Sequence, residues 1–147
     1  MGTTTFSGPV KAGTIREGAS ANAGFALMAQ SAKITFAADG TTTVVARIPA
    51  NSQIFQITVD VTTAFDAGSA NTLDIGDGTT ADKYADALAL GSAGRVLATS
   101  DVSQIGNLID IGTSDVAITT TYNQSGSAAS AGAATVTVLY LQNNNLS

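Results

Sequence analysis

The sequence predicts an all-β protein, a sandwich or barrel of short antiparallel strands. Three observations predict it. Apolar residues recur at every second position in several stretches, turn signals separate those stretches at steady spacing, and threonine, serine, alanine and glycine stand where charge is usual. Charged residues make up 12% of the 147, about half the usual ~25%. Threonine suits such a surface because its branched Cβ favours extended backbone and its hydroxyl tolerates water.

The elements follow in order. "AKITF" at 32–36 sets Ile34 and Phe36 on one face. Asp39-Gly40 then reads as a hairpin turn, since both residues tolerate positive φ. "TTTVVARI" at 41–48 sets Val44, Ala46 and Ile48 against Val45 and Arg47, and "PANS" at 49–52 ends it. "QIFQITVDV" at 53–61 alternates most cleanly, with Phe55, Ile57, Val59 and Val61 on the core side and Gln56, Thr58 and Asp60 on the other. "TADKYADALAL" at 80–90 fits a short helical turn capped by Thr80 and fits a strand equally well. "GRVLAT" at 94–99 and "LIDIG" at 108–112 read as shorter strands. "DVAITTTY" puts Val116, Ile118, Thr120 and Tyr122 together. "NQSGSAASAG" at 123–132 is a low-complexity loop of flexible composition. "ATVTVLYL" at 134–141 is apolar on parts of both faces, as in a central or interface strand. The two prolines, Pro9 and Pro49, fall outside strand centres. The chain reads as one domain over 1–147, with no repeat.

Composition limits the chemistry. Apolar residues make up 44%, enough for a core, but aromatics are only 5% and tryptophan is absent. With no histidine and no cysteine, the commonest general base, zinc ligand and thiol nucleophile are missing. The net charge is −5, and the six basic residues stand singly at Lys11, Arg16, Lys33, Arg47, Lys83 and Arg95. That pattern argues against nucleic acid and against anionic membranes as partners. "MGTTTFSGPVKAG" has neither the basic nor the apolar region of a signal peptide, and Phe6 stands where a myristoylation pattern needs serine or threonine. No apolar run reaches 18 residues, so the expectation is a soluble chain made and kept in a cytoplasm.

One stretch stands out. "FDAGSANTLDIGDGTTADKYAD" at 65–86 holds five aspartates, Asp66, Asp74, Asp77, Asp82 and Asp86, with Asp60 just upstream. An EF-hand reading from Asp74 fails, because Gly76 and Gly78 occupy ligand positions and Ala85 stands where glutamate belongs. An irregular calcium site from Asp74, Asp77 and Asp82 stays open. The better reading is a corner, with Asp77-Gly78 as a turn, local side-chain caps on loop backbone, and Asp82 and Asp86 flanking Lys83 on a solvated face. A glycosidase pair needs two carboxylates in an aromatic-lined cleft, which three tyrosines and no tryptophan supply poorly. No phosphate-binding glycine loop precedes Lys83, and "GSAGRV" is a turn. "NQS" at 123–125 matches a glycosylation sequon with no export signal to support it. Tyr84, Tyr122 and Tyr140 read as core or interface anchors. No catalytic, cofactor-binding or metal residue is assigned.

The order "RIPANSQIFQITVDVTTAFDAGSANTLDIGDGTTADKYA", closed by a Ser/Ala/Gly loop and "GAATVTVLY", resembles small virion proteins of tailed bacteriophages. These are the capsid decoration or cement proteins and related head-associated proteins. The resemblance spans residues 47–141, with a looser match through "GPVKAGTI" and "ITFAADGTTTVVARI". It implies an antiparallel β-sandwich of jelly-roll type with at most a short helical turn. It also implies a trimer that binds the major capsid protein on the outer surface of the shell. The expected protein is therefore a virion component made in a bacterial host, without catalysis or cofactor, and residues 1–8 could form an extended arm. Two alternatives remain open: another phage part (neck, tail or head-fibre base), or a carbohydrate-binding or adhesive β-sandwich.

Overall fold

In the computed structural model, residues 16–17, 20–21, 25–98 and 111–143 are described. Ten strands are formed there: β1 Arg16–Glu17, β2 Ser20–Ala21, β3 Phe25–Thr35, β4 Thr42–Ile48, β5 Gln53–Thr63, β6 Ala70–Gly76, β7 Ala85–Ala89, β8 Gly94–Leu97, β9 Val116–Ser125 and β10 Ala133–Asn143. β1 and β2 pair with each other. The other eight make two four-stranded sheets in the orders β3-β10-β5-β8 and β4-β9-β6-β7, with every ladder antiparallel. The chain passes from one sheet to the other at almost every connection, so each sheet interleaves early and late strands. This is jelly-roll topology, and it bears out the β-sandwich expectation.

The interior follows the alternation. Along β10, Ala134, Val136, Val138 and Tyr140 are buried, and along β5, Ile57, Val59 and Val61 face them. From the second sheet come Ile48, Leu73, Ile75, Ile118 and Tyr122, all buried in the same core. β10 lies between β3 and β5, which makes it the central strand its sequence suggested.

Several expectations need correction. Asp39-Gly40 does not close a hairpin. Gly40 does have a positive φ of 64°, but β3 pairs with β10 and β4 with β9, so the turn is a crossing between sheets. The helical turn falls not at 80–90 but at Phe36–Ala38, a 3-10 turn within that crossing. Residues 85–89 are a strand. The strand read at 32–36 starts earlier, at Phe25. "LIDIG" and the arm at 1–8 lie outside the described residues, except for Ile111 and Gly112, which are not in a strand.

Bulges shift the phase of three strands. On β5, Gln56 faces Leu139 and Ile54 faces Tyr140, so Phe55 is the extra residue. It turns outward, 64% exposed, and Ile54 takes the core position. On β4, Val45 is the extra residue, which leaves Val44 exposed and buries Val45 with Ala46 and Ile48. On β7, Ala85 faces Ile75 and Leu88 faces Leu73, and Ala87 adopts φ 50° within the excess.

One amide ties the sheets together along an edge. Gln30 on β3 donates from Nε2 to the Arg47 carbonyl at 2.7 Å and accepts from the Arg47 N–H at 2.9 Å. Its Nε2 also lies 3.0 Å from the Tyr140 hydroxyl. The side chain thus mimics a neighbouring strand and satisfies the open edge of β4 at this point. Gln30→Ala is expected to lower unfolding stability by about 1 kcal/mol, measured by urea denaturation against the wild type.

Candidate functional site

The aspartates are the first candidates, and the structure disperses them. Asp60 on β5 pairs across the ladder with Arg95 on β8 at 2.7 Å, an exposed bridge on the outer face. Asp66 accepts from the Ser130 N–H at 2.7 Å, the Ser130 hydroxyl at 2.8 Å and the Ala131 N–H at 2.8 Å. These bonds hold its carboxyl below the ordinary carboxylate range, the Ala131 amide contributing most. They also fix the Ser/Ala/Gly loop whose composition suggested flexibility. Gln124 accepts from the Ala129 N–H at 2.8 Å, and the Ser127 carbonyl takes the Gly68 N–H at 3.0 Å.

Asp74 lies on the outer face of the second sheet. It accepts from the Ala87 N–H at 2.9 Å and from the Asn123 side-chain amide at 2.7 Å. The first bond satisfies the amide that the β7 bulge displaces from its ladder. The second engages the asparagine of the sequon. Asp77 forms the corner: it accepts from the Thr79 N–H at 2.9 Å, the Thr80 N–H at 2.8 Å and Lys83 Nζ at 2.8 Å. Lys83 is the largest cause of a carboxyl pKa lowered to about 2. A side chain at Gly76 would strike the backbone of Thr80 and Ala81, so the turn folds directly over that position. Asp82 and Asp86 are exposed. Among the described residues, no cluster of three acidic side chains is placed to hold a metal ion.

The tyrosines belong to the core. Tyr84, Tyr122 and Tyr140 are each at most 3% exposed. Tyr122 donates to Asn71 Oδ1 at 2.7 Å and packs against Phe65 with ring centres 4.7 Å apart. Burial pushes the phenols of Tyr84 and Tyr122 upward, so both stay protonated.

The sequence reading missed the outer face of the β3-β10-β5-β8 sheet. Successive rows there run Leu27–Leu141–Gln53, then Ala29–Leu139–Gln56 with Phe55 bulged beside it, then Ser31–Thr137–Thr58–Leu97. Leu27 is 60% exposed, and Leu97 is also exposed. Leu139 and Leu141 are half-buried between them. The next row, Lys33–Thr135–Asp60–Arg95, is polar. One end of the face is apolar and the other is wet. The signal in the sequence was "IF" at 54–55, two adjacent large apolar residues that a strict alternation cannot bury together.

This topology occurs in known structures. The fold is that of chains in phage capsids. A chain of the cyanophage Pam1 capsid asymmetric unit aligns with a TM-score of 0.60 at 18% identity, covering 96% of this chain and 99% of that one. A chain of the Ralstonia phage GP4 capsid aligns at 0.57 and 20% identity, covering 83% and 87%. One from the acid-stable capsid of Helicobacter pylori bacteriophage KHP30 aligns at 0.52 and 15%, covering 79% and 87%. At such identities the likeness establishes a shared fold. No family model matches the chain, and no curated protein sequence does. No helix among the described residues is long and apolar enough to cross a membrane.

Asp74→Ala leaves the Ala87 and Asn123 donors unpaired and is expected to cost about 1–3 kcal/mol in denaturant unfolding. Ala87→Gly relieves the left-handed backbone and is expected to stabilise by about 1 kcal/mol. For Asp77 the folded pKa lies below the ordinary 3.8. Its contribution is therefore complete above pH 3.8 and is lost as pH falls through about 2. The melting-temperature gap between wild type and Asp77→Asn should hold from neutral pH to about 4 and close below it, read by thermal scans across that range.

Proposed function

We propose that this chain is a structural component of a phage virion. In this reading it binds the major capsid protein on the outer surface of the shell, as a trimer, and stabilises the shell without catalysis. The observation that carries the reading is the fold likeness to capsid chains over nearly the full length of both partners. The use of the carboxylates supports it: Asp66 and Asp77 are engaged in holding loops and Asp74 in holding the β7 bulge. A shell-binding protein needs a rigid body and a docking surface, and many weak contacts repeated by symmetry supply the strength.

The test is co-sedimentation of purified protein with capsids that lack it. The expected result is saturable binding at a fixed ratio to the capsid protein, together with a higher temperature of shell disruption. Protein that stays in the supernatant at every concentration contradicts the reading.

A further inference from the structure

We propose that the apolar end of the β3-β10-β5-β8 outer face, centred on Leu27, Phe55 and Leu139, is the surface through which copies of this chain associate. The proposal rests on the oligomer read above and gives it a location. Three features carry it.

The first is the bulge. An extra residue in β5 turns Phe55 out of the core phase and leaves it 64% exposed, next to a row in which Leu27 is 60% exposed. Bulges re-aim side chains, and an exposed aromatic beside leucines is the usual make-up of an interface centre. Nothing in the fold needs Phe55 there, since Ile54 fills the core position.

The second is the distribution of charge. The chain carries a net −5. On this face the described charges are Lys33 and the Asp60–Arg95 pair. Of the other described acids, Asp74, Asp77, Asp82 and Asp86 lie on the other sheet or its β6–β7 connection, Asp39, Asp66 and Asp115 lie in connections between the sheets, and Glu17 lies on β1. Two identical acidic molecules repel each other over most approaches, and the apolar end of this face lets them meet without opposing carboxylates, the one carboxylate of the face, Asp60, being paired with Arg95. A basic partner would be drawn to the acidic side instead, which favours a second copy as the occupant.

The third is the edge. β3 pairs with β10 over its whole length without a bulge, and Leu27 and Met28, both exposed, stand near its start. The other sheet edges carry guards: Gln30 closes β4 at Arg47, β7 is bulged at Ala87, and β8 is only 4 residues long. The apolar face therefore continues to an unbulged edge that no described strand covers.

The experiment is light scattering behind a sizing column on the full chain, with circular dichroism to confirm folding. The samples are wild type, Phe55→Ser, the Leu27→Asp/Phe55→Asp double variant, and Val44→Asp on the opposite sheet as a control of similar exposure. Wild type is expected near three times 14.6 kDa. The double variant should weaken self-association at least ~30-fold and run as a monomer. Phe55→Ser should do so in part, and Val44→Asp should leave the mass unchanged. A wild-type dimer that the double variant dissociates keeps this surface and discards the trimer. A wild-type oligomer that survives the double variant overturns the proposal and leaves the trimer standing. Variants of wild-type mass that no longer sediment with capsids also overturn it, and assign the face to the shell. A wild type that stays monomeric at high concentration overturns both.

Discussion

Where strands end, bulge or pass into a connection, backbone N–H groups leave their ladders and need other acceptors. Backbone carbonyls supply some, as Tyr122 does for Gly40, and carboxylates supply others. Asp39 receives the Gln124 amide, Asp66 those of Ser130 and Ala131, Asp74 that of Ala87, Asp77 those of Thr79 and Thr80, and Asp115 that of Ala50. The bonds of Asp39, Asp66 and Asp115 join segments more than sixty residues apart. Short-chain acids suit this task, because an ionised acceptor close to the backbone makes a stronger bond than a neutral one and loses little side-chain freedom. The clasps of Asp39, Asp66 and Asp115 tie crossings between the sheets to distant segments, and those of Asp74 and Asp77 hold the β6–β7 connection within the second sheet.

That use of acid explains how a chain with so little charge can be strongly acidic. Much of the negative charge is spent on corners and on the second sheet, where it holds loops in place. The first sheet is left nearly neutral, with a threonine-rich polar end and a leucine-rich apolar end. The same partition that completes the fold therefore leaves one face suited to contact with protein. Function in this account comes from what the fold leaves uncovered.

The legible parts of the sequence were those in which pairing follows alternation without interruption. β9 and β10 declared their buried residues plainly, because Ile118, Tyr122, Val136 and Val138 sit on strands whose ladders put the extra residue on the partner, β4 or β5. The aspartate corner was legible too, since Asp77-Gly78 and the threonines after it form a local motif. Bulges were not legible: Phe55 and Val45 are displaced by mismatches with strands distant in the chain, and Ala87 by one with the neighbouring β6. The supposed hairpin at Asp39-Gly40 failed for the same reason, as the turn chemistry is local but the partners of β3 and β4 are near the C-terminus. The first half of β3 was hidden because Leu27 and Met28 stand side by side, one for each face, and break the alternation. The apolar outer face was missed as a consequence of the β5 bulge. The jelly-roll form itself came from the family resemblance, and the strand order now supports it independently.

The central claim is that this fold serves as a repeated structural part of a virion. Quantitative mass spectrometry of virus particles purified from cultures that produce the chain tests this most directly. The account predicts a constant, high copy ratio to the major capsid protein across preparations. Absence from purified particles, or only a few copies in each, would contradict it.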